Sequence, residues 1–138
     1  MERFYQADCD PKQQNPLALA FIGDAVFELF VRERLLCLAR RPVSELHRAS
    51  VEQVCARAQA ESAHRLFPTL SEEEQGILRR GRNAHSNHVP KNAEPADYHA
   101  ATAFEALFGY LYLCGRMERL RELFDLVCEK ESQGGRNG

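Results

Sequence analysis

From residue 17 to residue 31 the chain reads LALAFIGDAVFELFV, apolar at every position except Gly23, Asp24 and Glu28. A run this long, with no two-residue alternation, predicts a helix that is apolar on more than one face. Asn15-Pro16 supplies an N-cap and a proline at the first helical position, and Pro42 bounds the far end, so the helix is expected to reach about Arg40. A second apolar run, YHAATAFEALFGYLYLC, predicts another helix from Asp97 to a C-cap at Gly115.

Between and after these runs the pattern becomes amphipathic. Val43 to His47 reads as a short helix started by Ser44. Ser50-Val-Glu-Gln53 has the form of a capping box, opening a helix that carries Val51, Val54, Cys55, Ala58 and Ala63 toward Pro68. Ser71-Glu-Glu-Glu74 opens another, to about Gly81, and a last helix is expected from Met117 to about Glu131. Residues 82–96, rich in Asn and Pro, read as a loop long enough to suggest a function. The predicted fold is all-α: an N-terminal segment over 1–14, one helical domain over 15–131 and a disordered tail over 132–138.

Composition narrows the class. A chain of 138 residues, 44% apolar and 28% charged, suits one globular domain. Its formal net charge of −2 does not announce a nucleic-acid binder, so any basic surface must be local. The five cysteines are widely spaced with no C-x-x-C, which argues against a zinc knuckle or disulfide framework. Cys37, Cys55, Cys114 and Cys128 lie among apolar helical residues and are expected as reduced core thiols. The start, MERFYQADCD, lacks a signal peptide's apolar region, and charges interrupt the first apolar run before it could span a bilayer. A cytoplasmic protein is expected.

An ionised carboxylate removed from water costs several kcal/mol unless something pairs with it. Yet each apolar helix carries acid at its centre: Asp24 in the first, Glu105 in the second. If the helices pack together the two acids could converge, and such oxygen ligands suit Mg²⁺ or Mn²⁺. A polar stripe lining an open groove is the competing account. Glu28 stands four residues from Arg32, a spacing that favours an ion pair.

From Gln75 to Ala93 there is no acid, while Arg79, Arg80, Arg82 and Lys91 are joined by Asn83, Asn87 and Asn92. Guanidinium groups fork onto phosphate oxygens, and no aromatic residue is interleaved for base stacking, so the backbone of a duplex fits better than a single strand. A solvated helix end is the plain alternative. His85-x-x-His88 lacks local partners for a metal site, and His47, His64 and His99 read as structural.

Phe21-Ile-Gly-Asp-Ala-Val26 resembles the signature helix of the ribonuclease III family, and Glu105-Ala-Leu-Phe-Gly109 resembles its second acidic motif. The resemblance spans about residues 15–130. It is strongest to the short bacterial Mini-III subfamily, through Asn15 to Glu28, Arg80 to Ala84, Pro90 to Asn92 and Thr102 to Leu107. Members of that subfamily lack the double-stranded-RNA-binding domain and mature large-subunit ribosomal RNA; this chain ends a few residues past the catalytic domain. Of the four acids in the long enzymes, two are replaced here, by Ala20 and Thr102.

The resemblance implies a two-fold homodimer that cuts double-stranded RNA with Mg²⁺ (Mn²⁺ as a possible substitute), leaving two-nucleotide 3′ overhangs. Asp24 and Glu105 would be catalytic and hold the metal. Thr102, one turn before Glu105, would support a metal-bound water. Arg79, Arg80, Arg82, Asn83 and Lys91 would grip the RNA, and Phe21 would insert into a socket on the partner. The substrate implied is a precursor 23S rRNA stem, with a ribosomal protein as a candidate for presenting it. A non-catalytic double-stranded-RNA-binding or ribosome-assembly dimer is the principal alternative. A purely structural helical dimer is another. An all-α nucleoside triphosphate pyrophosphatase fits poorly, because neither core helix carries E-x-x-E.

Overall fold

A computed structural model describes residues 3–84 and 89–136, with the backbone alone from residue 130. His85, Asn87 and His88 lie outside the described residues, as do 137–138 of the tail. The described chain forms six α-helices: α1 Pro16–Leu38, α2 Val43–Val54, α3 Ala56–Leu66, α4 Glu72–Asn83, α5 Pro95–Leu113 and α6 Met117–Arg136. No strand occurs among the described residues, as the hydrophobic pattern predicts.

The two apolar runs become the centre of the molecule. α5 is surrounded by α1, α3, α4 and α6, and its most extensive contact is with α1. It is buried almost continuously from Ala100 to Leu111, which is why its sequence shows no polar face. α1 turns Leu19, Gly23, Val26, Phe27, Val31 and Leu35 inward, at helical spacing. Phe27 sits at the middle of the core, edge-on to Phe104, Phe108 and Phe124 with ring centroids 5.0, 5.3 and 5.9 Å away.

Three helix ends are set by the residues expected. Asn15 caps α1 by accepting from the Leu17 amide at 2.8 Å. Ser71 and Glu74 form a complete capping box on α4. Glu74 is buried and also paired with Arg119 of α6 at 2.8 Å, so one acid caps a helix and ties two together. Burial pushes the Glu74 carboxyl up, but its bonds to Arg119 and Ser71 outweigh that and hold it below the usual carboxylate value. At the end of α5, Gly115 takes a φ of +73°, and the Arg116 amide reaches back to the Leu111 carbonyl at 3.0 Å.

The structure corrects other expectations. α2 runs unbroken from Val43 to Val54, and Ser50 is buried inside it, its hydroxyl donating to the His47 carbonyl of the preceding turn. The capping-box pattern at Ser50 is therefore coincidental, and the break falls at Cys55, whose backbone is extended. α1 stops at Leu38 rather than Arg40, α4 continues to Asn83, and α5 starts at Pro95. Helical backbone in α6 continues to Arg136, past the expected end at Glu131 and through Gly134 and Gly135. No cysteine is fully buried: Cys37 and Cys55 are exposed, and Cys9, Cys114 and Cys128 are partly so. Cys114 packs against the edge of the core, whereas the exposed Cys37 and Cys55 lie outside it. Among the described residues no helix is long and apolar enough to cross a membrane.

Candidate active site

Packing α1 on α5 brings Asp24 and Glu105 together, and two glycines allow the helices to approach. A Cβ on Gly23 would lie 1.7 Å from the carbonyl oxygen of Glu105. A Cβ on Gly109 would lie 2.0 Å from the carbonyl oxygen of Leu19. Neither distance admits a side chain, so both positions must be glycine for the backbones to touch. The glycine beside Asp24 and the one four residues after Glu105 thus belong to the site's geometry.

The acids line an open cleft with Leu17, Ala20, Phe21, Ile22, Ala25, Tyr98 and Thr102, a cavity of about 580 Å³. Asp24 is exposed on the cleft wall while Glu105 is half-buried at its side. Burial pushes the Glu105 carboxyl up to about 9, and the adjacent Asp24 carboxylate adds to the rise by hydrogen bonding and like charge. The side-chain amide of Gln59 opposes the rise and the charge of Glu28 adds to it. Two carboxyls this close cannot readily both ionise, so a cation between them answers a real electrostatic need. Glu28 itself is paired with Arg32 at 2.7 Å, as its spacing suggests.

No cluster of three or more His, Cys, Asp or Glu able to hold a metal is found among the described residues. Two converging carboxylates in an open, water-accessible cleft nevertheless fit Mg²⁺, which retains several waters and takes few protein ligands. Thr102 is buried on the same wall, with its hydroxyl proton donated to the Tyr98 carbonyl at 3.0 Å. It can therefore only accept from a water in the cleft.

The basic residues are exposed, but they do not form one patch. Arg79 and Arg82 border a groove with His64, Phe67, Ala100 and Ala103, and the Arg79 guanidinium lies over the Phe67 ring, 5.9 Å from its centroid. Arg80 turns toward the start of α1, where it reaches the Gln14 carbonyl at 3.5 Å. Asn83 ends α4, and Lys91 is exposed in the segment before α5. Among the described residues none of these four cations is paired with a carboxylate.

Phe21 is 84% exposed, although it sits in one of the most apolar stretches of the chain. A core role within its own chain is thereby excluded. Leu29 and Leu36 are exposed on the same side of α1. Gln59 is the functional candidate that sequence reasoning missed: 2% exposed on α3, it faces Glu105. The available signal was a glutamine on the inward face of the alanine-rich helix ARAQAESA.

A ribonuclease III domain family matches residues 17–116. The chain is 49% identical to a Mini-ribonuclease 3 of Symbiobacterium thermophilum over 125 residues, 91% of this chain and 96% of that one. It is 52% identical to a Mini-ribonuclease 3 of a Thermoanaerobacter species, covering 81% of this chain and 79% of that one. A crystal structure of a protein from Fusobacterium nucleatum superposes with a TM-score of 0.80 at 28% identity, covering 90% of this chain and 99% of that one. With both acids and both glycines on two helices inside the matched domain, the chain belongs to the ribonuclease III family of endoribonucleases, alongside the Mini-ribonuclease 3 proteins.

Proposed function

We propose that the protein cuts double-stranded RNA by Mg²⁺-dependent phosphodiester hydrolysis, as a two-fold cytoplasmic homodimer that matures the ends of precursor 23S rRNA. The observation that carries the reading is the convergence of Asp24 and Glu105 in an open cleft, with unpaired cations exposed on α4 and before α5. Asp24 and Glu105 hold the ion, with Mn²⁺ as a possible substitute, and Glu105 gives up its proton as it does so. When bound, the ion acidifies an attacking water and offsets charge building on the phosphate. Thr102 orients water through its free lone pairs. Arg79, Arg80, Arg82, Asn83 and Lys91 contact the backbone, holding the duplex by shape rather than sequence. Each subunit cuts one strand, which gives two-nucleotide 3′ overhangs, and a ribosomal protein bound to the rRNA can present the stem.

The test is incubation with a long RNA duplex and with either of its strands alone, in Mg²⁺ or in chelator. Cleavage of the duplex alone, only with Mg²⁺, is expected. A duplex that is bound but left intact would identify a dimeric binding module instead.

Two further outcomes are expected. Phe21→Ala should weaken the dimer while leaving the stability of the single subunit nearly unchanged, because the ring is exposed in its own chain. Removing a well-buried Phe costs roughly 3–5 kcal/mol, and two-fold symmetry removes it twice. Sedimentation at micromolar concentration reads the result, and an unaltered dimer rules the socket role out. Replacing Arg79, Arg80 and Arg82 by alanine should weaken duplex binding whatever the sequence. It should also flatten the plot of log K against log salt by about 0.7–0.9 for each phosphate that is no longer neutralised. An unchanged slope would show that these arginines do not touch the backbone.

A further inference from the structure

The inward positions of α3 are mostly small or aliphatic: Ala60, Ser62, Ala63 and Leu66. Gln59 is the exception, and it points its amide toward α5 at Glu105. Its Nε2 is fully buried and finds no acceptor within hydrogen-bond distance among the described residues. A buried donor left unpaired costs about 1–3 kcal/mol, whereas leucine or methionine would fill the same space without that penalty. Packing therefore does not account for a glutamine here.

The chemistry of Glu105 does. A carboxylate that ligates a cation is ionised, and hydrogen bonds to a charged acceptor are shorter and roughly twice as strong. The amide is thus best satisfied in the state that can ligate a cation. We propose that Gln59 is a positioning residue of the acid pair: its Nε2 donates to the ionised Glu105 carboxylate, fixing the orientation in which Glu105 and Asp24 share one divalent cation. The inference rests on the metal-site reading above, and it assigns α3 a part in the site.

Gln59→Leu and Gln59→Met keep the volume and remove only the amide. Mn²⁺ binding to the RNA-free protein, followed by electron paramagnetic resonance, should weaken on the order of 10–100-fold in both variants, as is usual when a partner of a ligating carboxylate is removed. The Mg²⁺ concentration for half-maximal duplex cleavage should rise in parallel, with KM for RNA at saturating Mg²⁺ unchanged. Melting temperature in chelator should hold or rise, since an unpaired donor has been removed. Ser62→Ala, another buried polar position on α3, should leave Mn²⁺ affinity unchanged.

Wild-type Mn²⁺ affinity in either Gln59 variant overturns the inference and leaves the metal site standing. A lower melting temperature in both variants also overturns it, because it would show that the amide serves packing. Failure of the wild-type protein to take up Mn²⁺ overturns the metal site itself, and this inference with it.

Discussion

Asp24→Asn should abolish cleavage of duplex RNA while RNA binding, read by fluorescence anisotropy, stays near wild type. Asparagine nearly matches aspartate in shape but lacks the charge that holds the ion, and the basic residues of α4 are not part of the cleft that Asp24 lines. Glu105→Gln should behave alike. Because the two carboxyls act as one site, the double variant should be little worse than either single. Substantial cleavage by Asp24→Asn would remove the acid from the mechanism.

Glu105→Gln carries a second, opposite consequence for stability. Burial and Asp24 raise the folded-state carboxyl from 4.5 to about 9. Below about 4.5 it is protonated both folded and unfolded, so nothing is lost. As pH rises from there toward about 9, the unfolded chain ionises while the folded one resists, and metal-free stability falls. At pH 8 in chelator the Gln variant should therefore melt above wild type. Mg²⁺ should narrow the difference by stabilising wild type alone.

Gly109→Ala should be among the most damaging single methyls in the protein, alongside Gly23→Ala. The added carbon would sit 2.0 Å from the Leu19 carbonyl oxygen, which is helix backbone and cannot swing aside as a side chain can. Overpacking of a tight core costs typically about 1–3 kcal/mol and occasionally more. Here α1 and α5 must separate, and with them Asp24 and Glu105. A large drop in melting temperature is expected, with loss of cleavage in whatever remains folded. Gly76→Ala is the control, because a Cβ at Gly76 meets nothing within 4 Å. On a helix that change should be neutral or mildly stabilising. Equal melting of the two variants would show that the α1–α5 contact is looser than described.

The site was legible where the sequence contradicted its own surroundings. Acid in an apolar run is costly, so Asp24 and Glu105 stood out before any fold was known. Gly23 and Gly109 stand in the same two motifs, but each helix gives no hint by itself that its glycine faces the other's backbone. Gln59 was hidden because glutamine is ordinary on a helix, and only the packing of α3 on α5 turns it inward. Ser50 misled for the converse reason: the capping-box spacing was present, but its hydroxyl bonds within α2 and the helix continues. The basic run was legible as charge but not as shape, since helical twist sends Arg80 away from Arg79 and Arg82. For Phe21 only the family resemblance pointed to a partner-facing ring, since the apolar run by itself does not say which of its residues face outward; its exposure follows from Val26 and Phe27 taking the inward positions.

The most direct measurement is anomalous diffraction from crystals of the protein grown with Mn²⁺. A peak is expected between the Asp24 and Glu105 carboxylates, absent from crystals of Asp24→Asn. Mn²⁺ bound elsewhere, with no peak between these two carboxyls, would contradict the metal site.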